Sequence, residues 1–185
     1  IGQGDAHWLQ ASIGVDAGDG EQVERALHAA LAQYRQGADH QRVQAVLARQ
    51  FVNASFRDPA ATALQLRQVF AADAACPSGV ATWVQAAWAN VAGLTNDPGA
   101  AIKHDLQAYR EALASGQTRQ ALVSATNAAE SFATLGDLDA AMQWSSVALD
   151  LARSTAWPAS IGFCLVQVGD VLRLLARYDE SRAHL

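Results

Sequence analysis

The 185-residue sequence predicts an all-α protein, a single array of repeated helix pairs covering residues 1–185. Three observations carry this reading. Alanine supplies 41 residues and proline only 4, and Ala enters a helix without losing side-chain entropy. Apolar residues recur at i, i+3 and i+4, and no run alternates with the period of two that a half-buried strand requires. Turn-forming residues return at a nearly constant interval, the mark of a repeat architecture.

The elements follow in chain order. A first helix over 5–16 ends at "AGDGEQ", where Asp19 precedes Gly20. The second, over 21–36, carries Val23, Ala26, Leu27, Ala30, Leu31 and Tyr34 at helical spacing. "RQGAD", centred on Gly37, separates it from a third helix over 40–55. "FRDPAA" opens a fourth over 60–73, "ACPSG" a fifth over 78–94, and "TNDPGA" a sixth over 99–114. "ASGQT" precedes a seventh over 118–135. "LGDLDA" opens the eighth over 138–154, where Ala141, Trp144, Ala148 and Leu151 share a face. "AWPAS" starts a ninth over 158–176, and "LARYDE" leads into a last helix from 179.

Asp19, Asp58, Asp97, Asp137 and Arg177 mark one series of turns, at intervals of 39, 39, 40 and 40 residues. Asp caps the coming helix, and Pro fits a first turn where its missing N–H leaves nothing unbonded. A second series at Gly37, Pro77, Gly116 and Pro158 runs half a period out of phase. Each unit therefore reads as helix, tight turn, helix, looser loop. The repeats span about 5–36, 40–73, 78–114, 118–154 and 158–185, the last incomplete.

The stretch "LGDLDAAMQWSSVALDLA" resembles the tetratricopeptide-repeat signature: a Gly-Asp turn, then small residues seven apart at Ala141 and Ala148, with Leu149 following. Gly169, Tyr178 and Ser181 match in the next unit, Ala101 and Ala108 in the third, and Thr62 and Val69 stand at those sites in the second. The resemblance implies a right-handed superhelical solenoid, with small residues where helices cross and Phe132, Trp144 and Leu172 filling the space between units. The period exceeds the usual 34 residues of that repeat. In this it is similar to the longer repeats of bacterial signalling proteins, namely activators of the maltose-regulon type and helical regions preceding diguanylate cyclase domains.

In such an array the first helix of each unit lines a concave wall. One outward position per unit gives Arg49, Asn90, Glu130 and Asp170, at intervals of 41, 40 and 40. Arg42, Asn53, Trp83, Thr126, Thr134 and Arg173 flank them. Mixed polar side chains beside an aromatic suit a peptide or a small polar ligand. Asp170 and Arg173, at i and i+3, are also placed to pair with each other. The five tryptophans, Trp8, Trp83, Trp88, Trp144 and Trp157, read first as core.

Other chemistries find little in the sequence. His7, His28, His40, His104 and His184 have no i, i+4 partner, so no metal site is expected. "DAGDGE" places Leu27 where a calcium loop needs its closing Glu. "GQG" and "GDG" lack the Lys-Ser/Thr of a phosphate loop. No Ser or Cys stands in a nucleophile elbow, and the acceptor pattern at Asn53 carries no weight in a cytosolic chain. No catalytic residue and no cofactor is therefore expected. A net charge of −5, with 12 scattered Arg and a single Lys, excludes a phosphate-binding face and so a nucleic-acid partner. Cys76 and Cys164 read as buried free thiols.

"IGQGDAHWLQ" is neither basic nor apolar enough for a signal peptide, and Ile161–Ala176 is too short to span a membrane. The expected setting is cytoplasmic, in a segment cut from a longer protein. Residues 161–176 are apolar on almost every face and call for cover on both sides, including by a second copy of the chain. The leading expectation is a non-enzymatic interaction or sensory segment that captures a protein or peptide and signals to an output domain. A small-molecule effector site in a transcriptional activator is the alternative, and an enzyme using groove residues a third.

Overall fold

The computed structural model describes residues 2–70, 76–155 and 157–184. They form ten helices and, among the described residues, no strand: α1 Gln3–Ala17, α2 Gly20–Gln36, α3 His40–Ser55, α4 Pro59–Val69, α5 Ser78–Leu94, α6 Pro98–Ala114, α7 Thr118–Leu135, α8 Leu138–Ser154, α9 Pro158–Leu174 and α10 Tyr178–His184. Each helix packs on the next, and α3 also packs directly on α5. None of the described helices is long and apolar enough to cross a membrane.

The turns explain the regular spacing. Asp19, Asp39, Asp58, Asp97 and Asp137 each accept a hydrogen bond from the backbone N–H three residues on, at 2.8–3.1 Å. In four of the five a left-handed residue stands just before the cap: Gly18, Ala38, Asn96 and Gly136, with φ between 52° and 80°. One residue reverses the chain and the next starts the new helix. Gly116 and Ala176 do the same ahead of Gln117 and Arg177. The half-period connections at Gly37–Asp39 and Ser115–Gln117 are thus as tight as the Asp-marked ones, against the looser loop expected there.

Small residues sit where helices cross. Ala11, Ala30, Ala48, Ala108, Ala141 and Ala148 are fully buried. In α1 the same purpose is served by Gly4 and Gly14: a Cβ on Gly4 would lie 2.5 Å from the Tyr34 ring, and one on Gly14 would lie 2.9 Å from Val23. The apolar clusters each join neighbouring pairs, with Leu27 and Val46 across α2 and α3, Leu66 and Val84 across α4 and α5, and Leu149 and Leu172 across α8 and α9.

The second unit departs from the pattern. Thr62 is buried as a small position should be, but Val69 is half exposed, because α4 ends there and Phe70 turns extended. The expected end of this helix at residue 73 lies outside the described residues. Cys164 is buried, whereas Cys76 is only partly so. α9 is covered on the side of Cys164, Val168 and Leu172, and leaves Phe163 and Val166 exposed. Its expected cover on both sides is therefore present on one.

If the crossings set the fold, filling one should harm it more than removing a cap. Ala148→Leu is expected to lower stability by about 1–3 kcal/mol, and Asp137→Ala by about 1 kcal/mol, both read from urea denaturation. The opposite ranking would show that the turns, not the crossings, dominate.

Candidate functional site

The first helices of successive pairs, α1, α3, α5 and α7, converge on a cavity of about 590 Å³. On its wall Trp8, Arg49 and Trp83 form a three-membered cluster. The Arg49 guanidinium lies 4.6 Å from the Trp8 ring centre and 4.9 Å from that of Trp83. The two indoles meet edge to face at 5.5 Å. Arg49 is only 5% exposed, yet its bonds are weak: Nη1 donates to the Trp8 carbonyl at 3.5 Å and Nη2 to Ser12 Oγ at 3.3 Å. Burial pushes its pKa down to about 10 with no neighbouring carboxylate to hold it up. At neutral pH it remains a cation, stabilised by two π faces. Trp83 Nε1 is buried without an acceptor.

α7 closes the far side. Arg119 in its first turn forms an ion pair with Asp16 of α1 at 2.9 Å and lies 4.2 Å over the Trp157 ring. Both partners of this pair are partly exposed, so it positions the two helices more than it stabilises them.

A second cavity of about 380 Å³ shares Phe56, Asn90 and Asn127 with the first. Asp105 of α6 and Glu130 of α7 line it. Asp105 is 2% exposed, and its Oδ1 has no hydrogen-bond partner. Burial is the main cause that pushes its pKa up to about 8; Asn127 beside it works the other way, and the Glu130 charge adds to the rise. At neutral pH the group is mostly a carboxylic acid.

The residues singled out in sequence are divided by the structure. Arg49, Trp83, Asn90 and Asn53 line the larger cavity, while Asn90, Glu130 and Thr134 line the smaller. Arg49 is buried rather than outward, held in by the indoles. Thr126 is turned inward at 5% exposure and donates to the Leu122 carbonyl, so it belongs to the packing of α7 rather than to the wall. Arg42 pairs with Asp5 and Asp39. Asp170 and Arg173 lie 3.5 Å apart, both exposed, and pair with each other on α9.

Trp8 packs against the first apolar cluster, as its core reading expects, and also lines the larger cavity, which Trp157 lines as well. Arg119, Asn127 and Asp105 carried no expectation at all. For Asp105 a signal existed: it stands four residues after Ala101 and three before Ala108, so a charge falls on the apolar stripe of its helix.

The Asp105 pKa makes stability depend on pH with a definite sign. The unfolded chain ionises this group near pH 4 and the folded chain near 8. Between these limits the folded state keeps a proton that the unfolded state has lost. Its contribution to stability therefore falls as pH rises through that window, and levels off above it. Asp105→Asn, which cannot ionise, is expected to gain a few kcal/mol on the wild type between about pH 4 and pH 8. Urea denaturation across that range tests this; a constant difference would mean that Asp105 ionises normally in the fold.

Comparison with known proteins finds no protein-family profile that matches this chain and no curated protein that matches it in sequence, so the chemistry of the two cavities rests on their own side chains.

Proposed function

We propose that this chain is the non-enzymatic binding segment of a bacterial signalling protein. In this reading it is a tetratricopeptide-like right-handed superhelix whose inner groove takes a protein or peptide partner and relays that state to an output domain. A diguanylate cyclase is the output that the resemblance suggests. The observation that supports binding is the Trp8–Arg49–Trp83 cluster on the cavity wall. A guanidinium removed from water without a carboxylate is costly, and a ligand bearing an acceptor offsets that cost. The indoles supply flat apolar area of the kind that anchors partners.

The lining also suits relay. It comes from four successive pairs, so a ligand touching α1 and α7 together would favour one spacing of the array over others. The residues gathered at the stack, Arg, Trp, Asn and Gln, hold ligands rather than exchange protons at neutral pH.

One observation favours the second reading, a small-molecule effector site of the maltose-regulon-activator kind. The Asp16–Arg119 pair joins α1 to α7 beside the cavity, and a volume of about 590 Å³ falls within the usual range of small-ligand pockets.

Tryptophan fluorescence titrations against a peptide library and a metabolite library separate the two. A ligand of one class should saturate, and Arg49→Met or Trp83→Ala should weaken it about thirtyfold, with smaller losses for Asn90→Ala and Glu130→Ala. Binding indifferent to Trp83→Ala would overturn the groove as the site. Turnover of a ligand, lost on the same substitutions, would make the segment an enzyme.

A further inference from the structure

We infer that the smaller cavity, walled by Asp105 and Glu130, is a subsite for one organic cation: a primary ammonium or a guanidinium. This rests on the groove reading above and assigns the chemistry of its second chamber.

The buried carboxyl of Asp105 lacks compensation. Asp105 is 2% exposed, borders an open cavity, and keeps an oxygen with no donor against it. Buried carboxyl oxygens are normally hydrogen-bonded, so an orphan on a residue that lines a cavity marks where a donor is absent. The charged group that faces it is Glu130, of the same sign. No cation of the neighbouring helices lines the chamber. α5, "SGVATWVQAAWANVAGL", carries no charged residue. The only cation of α7 is Arg119 in its first turn, occupied by Asp16 and Trp157. On α6 itself, Lys103 is exposed and stands outside the chamber lining, His104 is turned to Gln85 and Trp88, and Arg110 to Gln107.

The chamber therefore holds two carboxyl groups and the carboxamides of Asn90, Asn96 and Asn127, all able to accept, and no fixed positive charge among the residues that line it. A metal ion suits it poorly. Among the described residues no three His, Cys, Asp or Glu side chains gather in one place, whereas hard cations draw six or more oxygens. An N–H cation needs only the acceptors present. Its arrival would draw the proton from Asp105, forming an ion pair flanked by Glu130. The larger chamber, reached past Phe56, Asn90 and Asn127, has the opposite deficiency, a buried guanidinium without an anion. The two chambers together fit a ligand with an acceptor at one end and a cation at the other.

Titration calorimetry on the whole chain tests this with Nα-acetyl-arginine methylamide and with spermidine, against uncharged Nα-acetyl-norleucine methylamide. Both cations should saturate and, at neutral pH, release close to one proton, read from heats in buffers of different ionisation enthalpy. Asp105→Asn should abolish the release and weaken binding about tenfold or more. Glu130→Gln should weaken binding and keep the release. Should Asp105→Asn fail to fold, Asp105→Glu, which retains an ionisable carboxyl, should keep the release. Tighter binding of the arginine analogue identifies a peptide side chain as the natural source; tighter binding of spermidine identifies a free polyamine. No saturation by either cation, equal binding of the norleucine analogue, or proton release that survives Asp105→Asn overturns the subsite. If the cations fail while a library ligand still binds in an Arg49-dependent way, the subsite falls and the groove reading stands.

Discussion

The fold depends on how closely its helices cross. Ala11, Ala30, Ala48, Ala87, Ala108 and Ala148 are fully buried, and at such contacts a larger side chain would force the axes apart. Gly4 and Gly14 take the same condition further, since no Cβ fits against Tyr34 or Val23. An alanine crossing buries little apolar area, so each helix contact contributes modestly and stability accumulates along the array. Apart from Tyr34, which Gly4 admits, large aromatic side chains sit at the edges of the crossings. Tyr109 and Trp144 meet there at 5.1 Å between neighbouring pairs. Trp8, Trp83 and Trp157 emerge instead on the cavity shared by the first helices. The aromatic wall of the candidate site is thus a consequence of the small-residue rule.

Close crossing also needs each helix to begin at the right phase. The pairing of a left-handed residue with an Asp cap provides this, because it fixes both the reversal and the first turn within two residues. Where the left-handed residue is missing, regularity fails. The turn Phe56–Arg57–Asp58 has the cap without it; α4 that follows is the shortest helix before α10, and Val69 at its end is exposed. α3 then makes its main onward contact with α5 rather than through α4. The repeat is consequently uneven in its second unit, which is where residues 40–73 matched the family pattern least.

This division explains what was legible in the sequence. Helix bounds came within a few residues almost throughout, because caps, Pro and the apolar period act locally. The wall was half legible. Counting one position per unit reached Arg49, Asn90 and Glu130, since a constant period carries a face from one pair to the next. The same count placed Thr126 outward, though it is buried under a bond to Leu122. It extended the row to Asp170, which pairs with Arg173 instead. Trp8, Arg119 and Trp157 escaped because their placement depends on α1 meeting α7, a contact spanning 103 residues that no local pattern encodes. Asp105 lies on a second helix, outside the row that the repeat period carries along the first helices, although a charge on the stripe between Ala101 and Ala108 breaks the local rule.

That break ties the two chambers together. A buried Arg49 without an anion and a buried Asp105 without a cation each lower the stability of the folded chain relative to an apolar side chain of similar size. Neither is required by the crossings, which alanine serves better. The fold tolerates Arg49 by setting it against two indoles and Asp105 by keeping its proton. In both cases the compensation is partial, and the unsatisfied atoms, Trp83 Nε1 and Asp105 Oδ1, belong to residues that line the chambers. Local rules that fail where packing does not demand it, and fail twice with opposite sign along one groove, support the proposed ligand site, because the fold itself gains nothing from them.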